Sequence, residues 1–210
     1  YQARGWQIVP VYHIKGKSCT CKAGTQCSSK GKHPKCGVYA ATADSEKFQR
    51  ELRRDPHMNI GIATGKSFGI VIDFDNEDGL ALYEEWKARG WIPETLEAVT
   101  ASGWRHVVIE YFPGLKNGVK PVDKIGNRLP FDIRTDGGLI VVEPSKIGER
   151  AYHWSSFKTP IVEAPPELKD FLLKVASKEK AANGQATDKR RPASPDLSGE
   201  AVESELFADL

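Results

Sequence analysis

The sequence predicts a mixed α/β (α+β) fold, and three observations carry that reading. Apolar, β-branched runs of strand length recur at 59–64, 68–74, 96–100, 106–111, 131–134 and 139–142. Two amphipathic segments, 45–54 and 78–89, lie among them at helix length. Gly-containing turns separate the later strands at hairpin spacing, which favours antiparallel pairing in the second half.

Taken in order, residues 6–12 alternate weakly and predict a strand. Residues 18–37 are rich in Cys, Lys, Gly and Ser without periodicity, so they predict a loop that needs an organiser. Asp44 and Ser45 are capping residues for a helix through Arg54, and Pro56 ends it. Gly90 follows 78–89 as a C-cap signal. Asp136-Gly137-Gly138 predicts a hairpin turn between the strands at 131–134 and 139–142. Residues 166–176 predict a short helix. From 177 the composition turns polar and nearly free of aromatics. The expected organisation is therefore one domain over 1–176, with a loop at 18–37, followed by a linker over 177–210.

The chain has 210 residues, 40% of them hydrophobic, enough for one globular domain or two closely packed subdomains. It begins with Tyr1 and not Met, as expected of a piece of a longer protein. No apolar run reaches membrane-spanning length, so no membrane association is expected, and no secretion signal is recognisable. All four cysteines fall between Cys19 and Cys36, beside a histidine. Such clustering favours a metal site over a disulfide framework, and with it a cytoplasmic location. Residues 192–210 hold five acids and no Lys or Arg, which leaves 30 bases against 23 acids, or +7, on the rest. That balance permits a polyanionic partner without demanding one.

The most informative stretch is Gly69-Ile70-Val71-Ile72-Asp73-Phe74-Asp75, an apolar strand that runs out into two carboxylates. Strand side chains alternate, so Asp73 and Asp75 share a face. Two like charges placed together repel, and a hard divalent cation, Mg²⁺ or Mn²⁺, removes that cost. Two such ions suit in-line phosphoryl transfer. Asp132, Arg134 and Asp136 alternate along a later strand. Asp132 is a candidate third metal ligand, and Arg134 a candidate phosphate ligand. His106 opens a strand after a Gly turn, where an imidazole can donate to a phosphate oxygen. Gly61 to Ser67 imitates a P-loop, but it has one residue too few between the glycines and leads into a strand, so it is rejected as one. A match to the paired aspartates of phosphoaspartate phosphatases is weak, because Glu77 stands where they carry Thr or Val.

Cys19, Cys21, Cys27, His33 and Cys36 offer five soft or borderline ligands for one tetrahedral zinc. Cys19, Cys21 and Cys27 lead. His33 and Cys36 compete for the fourth place, with Cys36 the alternative, unless Cys19 or Cys21 is the spare.

From Gly5 to Trp154 these pieces, in this order and spacing, resemble the bifunctional primase-polymerase domain of the archaeo-eukaryotic primase superfamily. The resemblance rests on the Gly5-Trp6 opening, the Cys-rich loop with Gly31-Lys32-His33-Pro34, and Asn59 to Gly65. It continues through Ile70 to Asp75 with Gly79, Thr100 to His106, Asp132 to Gly138, and Glu143-Pro144-Ser145. Trp104 departs from the small residue usual two positions before the histidine, and Glu143 from a second proline.

The resemblance implies a primase-like fold, an N-terminal α/β unit packed on a unit like an RNA-recognition motif, with the site in the cleft between them. It implies that Asp73, Asp75 and Asp132 hold two Mg²⁺ or Mn²⁺ ions. It assigns His106 and Arg134 to the phosphates of the incoming nucleotide, with Ser102, Arg105 and Ser145 in nucleotide-binding segments and one structural zinc in the loop. The implied activity is template-directed nucleotidyl transfer in plasmid, phage or CRISPR-associated replication. The implied partners are single-stranded DNA template, primer, dNTPs or NTPs, and a helicase or helical-bundle domain beyond the linker. Two other classes answer to the same residues: a zinc-organised DNA-binding module with inert carboxylates, and a metal-dependent phosphatase or nuclease.

Overall fold

The computed structural model describes residues 1–117, 121–123 and 125–183. In chain order its elements are β1 (Ile8–Val11), β2 (Ile14–Lys15), β3 (Ser18–Cys19), α1 (Ser45–Arg54), β4 (Asn59–Ala63), β5 (Ile70–Phe74), α2 (Glu77–Ala88), β6 (Glu97–Val99) and β7 (Arg105–Ile109). After these come β8 (Asp132–Arg134), β9 (Leu139–Val142), β10 (Lys146–Ile147), β11 (Arg150–Ala151), β12 (His153–Trp154) and α3 (Pro166–Asn183). The caps behave as their chemistry dictates. Asp44 Oδ1 accepts from the backbone N–H groups of Glu46 and Lys47 at the start of α1, and Asn76 Oδ1 accepts from Gly79 N at the start of α2. Helix α3 continues to Asn183, past the expected domain boundary at 176. The rest of the expected linker, with its acidic end, lies outside the described residues.

Two antiparallel sheets form the body. The smaller has the order β1-β4-β9 and the larger β12-β6-β7-β5-β8. Within the larger, the run β5-α2-β6-β7-β8 takes the spatial order β6-β7-β5-β8, the strand order of an RNA-recognition motif. Helix α3 shares the apolar face of that sheet with α2, through Leu168, Phe171 and Leu172.

Alternation along β5 assembles the layers. Ile70, Ile72 and Phe74 point to α2 and α3, where Trp86, Phe131 and Phe171 close an aromatic core. Val71 points the other way, with Val108, Leu96 and Ala98, and meets Ile8, Ile62, Ile140 and Val142 of the smaller sheet. Asp73 is next on that second face.

The expected hairpin between β8 and β9 does not form. Strand β8 pairs with β5 (Val71 opposite Arg134, Asp73 opposite Asp132), whereas β9 pairs with β4 (Ile60 opposite Val142, Ala63 opposite Leu139). The turn residues do what their types allow, since Gly138 N donates to Thr135 O at 2.8 Å. The turn nevertheless carries the chain from one sheet into the other, because each strand finds a better apolar partner than its neighbour in sequence. The link from β4 to β5 crosses at the same corner, and the crossings are bonded together. Thr64 N donates to Gly138 O, Thr64 Oγ1 to Thr135 O, and Lys66 N to Asp136 Oδ1. Asp136 therefore lies beyond β8 as an exposed turn residue, off the face of Asp132 and Arg134 on which alternation alone would put it.

Gly65 sits in that corner at φ +100°, and a Cβ there would overlap the Asp136 carboxylate and lie 2.8 Å from its Cα. Gly65→Ala therefore adds both backbone strain and overpacking. Unfolding in denaturant should show a loss of at least about 1–3 kcal/mol, with the transition midpoint shifted accordingly.

Candidate functional site

Four polar side chains stand together on the face of the larger sheet that turns to the smaller one. Asp73 is the direct register partner of His106 on β7 and of Asp132 on β8. His106 Nε2 lies 3.3 Å from Asp73 Oδ1. Arg134 Nη2 bridges Asp132 Oδ2 at 2.5 Å and Asp73 Oδ2 at 3.4 Å. Burial opposes ionisation of Asp73, but His106 and Arg134 outweigh it and hold its carboxyl below the ordinary carboxylate range. His106 is itself buried, and its Nδ1 has no hydrogen-bond partner among the described residues.

This cluster floors a polar cavity of about 590 Å³. Asp73, Asp75, His106 and Arg134 line it. Asp132 is reached through Arg134 and is not among the lining residues. Thr100, Ser102 and Trp104 enter from the β6–β7 turn, and β9 supplies the facing wall. Tyr152 closes one side with its ring 6.4 Å from that of His106. Burial first, and then the Asp73 charge, pushes its phenol up to about 12. Asp75, just past the end of β5, is exposed at the mouth.

Two residues expected at a nucleotide are turned elsewhere. Arg105 is opposite Phe74 in the register, so it projects to the helix side, where its guanidinium lies 5.9 Å from the centre of the Tyr83 ring. Ser145 is buried outside the cavity. Its Oγ accepts from Ile60 N at 2.8 Å and donates to Ile60 O at 3.2 Å, a structural use that occupies the hydroxyl. Ser102 does reach the cavity, as do His106 and Arg134.

The loop at 18–37 folds into a knuckle against the same cavity. The ligand atoms of Cys19, Cys21, Cys27 and His33 all lie within 4.8 Å of one another. His33 Nε2 is 3.5 Å from Cys19 Sγ and 3.4 Å from Cys27 Sγ. A tetrahedral zinc, with Zn–S of about 2.3 Å and Zn–N of about 2.0–2.1 Å, requires an S···N edge of about 3.6 Å. The residues therefore fit zinc, and His33, not Cys36, is the fourth member of the group. Electrostatics agree. Burial opposes the Cys19 thiolate, but the backbone N–H groups of Cys21 and Gly31 and the His33 ring bring its pKa down to about 6. Burial and the neighbouring thiols push Cys27 up, a conflict that a dication relieves. Lys32, His33 and Pro34 of the knuckle line the cavity, so the zinc group flanks the carboxylates directly.

The sequence matches the description "Bifunctional DNA primase/polymerase, N-terminal" over residues 1–167. The chain belongs to that family. No curated protein matches the chain. In this primase/polymerase domain the matched region takes in both sheets, the knuckle and every residue of the site. Among the described residues no helix is long and apolar enough to cross a membrane.

Sequence reasoning passed over Asn117 and Tyr152 as site residues. Asn117 accepts from Thr135 N and lines the cavity from a loop with no pattern around it. Tyr152 belongs to no carboxylate, histidine or cysteine motif, and only the packing of β9 against it brings it in.

Two outcomes are expected here. Elemental analysis should find about one zinc per chain in the wild type and in Cys36→Ser, and none in Cys19→Ser. Ser145→Ala leaves the Ile60 N–H without its partner in the interior, so it should cost about 1–3 kcal/mol of stability by calorimetry while nucleotide affinity stays unchanged.

Proposed function

We propose that this domain is a template-directed nucleotidyltransferase that makes and extends primers with dNTPs or NTPs. The observation that carries this reading is the juxtaposition of Asp73, Asp132, His106 and Arg134 on one sheet face at the floor of a polar cavity, with Asp75 at its mouth. Asp73, Asp75 and Asp132 would hold Mg²⁺ or Mn²⁺, which when bound neutralise triphosphate charge and raise the acidity of a primer 3′-hydroxyl.

The chain's own residues supply the rest. Arg134 balances the two buried carboxylates from within, so the cluster tolerates burial before any ligand arrives. Once the carboxylates are otherwise neutralised, its guanidinium is released to a phosphate, the anion its planar fork matches best. His106 offers a ring N–H to a phosphate oxygen, and Asp73 at its Nε2 fixes the ring. Ser102, Asn117 and Lys32 add neutral donors and one cation around the same space. No protein nucleophile is required, since positioning and charge stabilisation carry this chemistry.

Primer extension with Mn²⁺ and labelled nucleotide tests the reading. Asp73→Ala and Asp132→Ala should each abolish incorporation with the zinc content and melting temperature retained, and near-normal extension by both variants would sink it. His106→Ala should weaken nucleotide binding and slow incorporation roughly tenfold to a hundredfold, the loss of one charge-assisted hydrogen bond. Its affinity for a template-primer should stay nearly unchanged. A variant that melts early and loses both activities together would instead return His106 to a purely structural role.

A further inference from the structure

A second cavity, about 810 Å³, is lined by the start of the knuckle, through Lys15, Gly16 and Thr20, whereas the carboxylate cavity takes Ser29 and Lys32 to Pro34. The β2–β3 hairpin and the β10–β11 hairpin form two walls, and the C-terminal end of α1 forms the third side. Its lining carries Lys15, Arg54 and Lys146 with two imidazoles, His13 and His57, against a single acid, Asp55. That acid is already spent. Lys35 Nζ lies 2.5 Å from Asp55 Oδ2 and His13 Nδ1 lies 3.4 Å from it. Burial opposes ionisation of Asp55, but these partners hold its pKa low. Arg54 is engaged with Glu51 on its own helix, which leaves Lys15 and Lys146 as exposed cations on the two hairpins.

Each hairpin tip pairs a glycine with an exposed charged residue, Gly16 with Lys17 and Gly148 with Glu149. Gly16 and Gly148 turn at φ +60° and +63°, and a Cβ on either would meet nothing within 4 Å, so a ligand can approach their peptide groups closely. The buried Asn59 side chain joins the parts. Its Nδ2 donates to Gly31 O in the knuckle and to Lys146 O in the far hairpin, both at 2.9 Å. The surroundings are cationic along the sequence as well. Residues 1–43 contain seven Lys or Arg and no Asp or Glu. Even with a zinc held by three thiolates, residues 13–36 keep a clear positive excess; Lys17 and Lys22 of the knuckle are exposed, and Lys32 is exposed in the lining of the carboxylate cavity.

We infer that this second cleft binds the phosphate backbone of single-stranded DNA, and that the strand reaches the carboxylate cavity across the lysine-bearing knuckle. The inference rests on the nucleotidyltransferase reading for the use of that strand, but not for its binding. Solvated lysines on two open hairpins suit a run of phosphates tracked along a groove. A nucleoside triphosphate would bring a divalent ion, and the one carboxylate in this lining, Asp55, is already held by Lys35 and His13.

The test is fluorescence anisotropy of a labelled oligo(dT) with the zinc-loaded full chain, over a salt series, without nucleotide or added divalent ion. Lys15→Glu/Lys146→Glu should bind roughly tenfold more weakly. Its slope of log affinity against log salt should fall by about 1.4, two phosphate contacts at about 0.7 each. The control Lys158→Glu/Lys169→Glu, the same charge change elsewhere on the surface, should shift binding far less. Affinity for a dNTP with Mn²⁺, which depends on Asp73, should be unchanged in the cleft variant. Should the reversed pair fail to match wild-type zinc content and melting temperature, Lys15→Gln/Lys146→Gln gives the same comparison with half the charge change. Equal weakening by cleft and control pairs would overturn the proposal in favour of a diffuse field. Loss of dNTP affinity with DNA binding intact would overturn it in favour of a nucleotide site. Because no incorporation is measured, an inert Asp73 site would leave this result unmoved.

Discussion

The two-residue period of β5 is the constraint on which the rest of the structure depends. A central strand between two apolar layers must present hydrocarbon on both faces, and residues 70–74 do so until Asp73. There the strand still supplies Phe74 to the helix side, so the carboxylate cannot turn away and must face the smaller sheet. Burying it requires compensation from the adjacent strands, and the antiparallel register delivers His106 from one side and Asp132 with Arg134 from the other. Packing and chemistry are thus set by the same alternation. A one-residue slip of β5 would put Asp73 among Trp86 and Phe131 and remove the cavity at the same time.

A different physics holds the knuckle. Between Ile14 and Gly37 almost nothing is buried apart from Cys19 and Gly31, so this segment has no core with which to fix itself. Three thiols and an imidazole are gathered within 4.8 Å of one another, a group that fits zinc and that zinc would fix in place of a core. Asn59 then transmits that order into β4 and β10 through hydrogen bonds from a buried side chain. The Cys- and His-bearing loop and the hydrocarbon-organised sandwich meet at a single amide.

Most of the elements, the carboxylate strand and the zinc residues were legible because each is a local signal: period two, capping chemistry, ligand density. Fourth-ligand identity was not, since His33 and Cys36 are equivalent in spacing and only the fold turns one inward and leaves the other exposed. The separation of β8 from β9 was hidden for a similar reason. Asp136-Gly137-Gly138 makes a tight turn whichever sheet the following strand joins, and partner choice depends on strands far earlier in the chain, β5 for β8 and β4 for β9. Arg105 and Ser145 show the limit of reading motifs without register. Arg105 is adjacent to His106 in sequence and therefore on the opposite face, while Ser145 is consumed by the backbone of Ile60. Tyr152 and Asn117 reach the cavity only through tertiary packing.

The paired crossings at Thr64–Gly69 and Thr135–Gly138 have a mechanical consequence. Two of the covalent links between the sheets lie at one corner, hydrogen-bonded to each other, near the Val71 end of β5, and the chain crosses a third time between β9 and β12, where Trp154 N donates to Glu143 Oε2. Asp75 and the turn carrying Ser102 and Trp104 lie at the opposite end of the strand. The two layers are therefore stapled to each other at two separated places. Sliding of one sheet over the other is opposed at both, while the spacing of Asp73 and Asp132, on adjacent strands of a single sheet, is set by strand register and is independent of how the sheets pack.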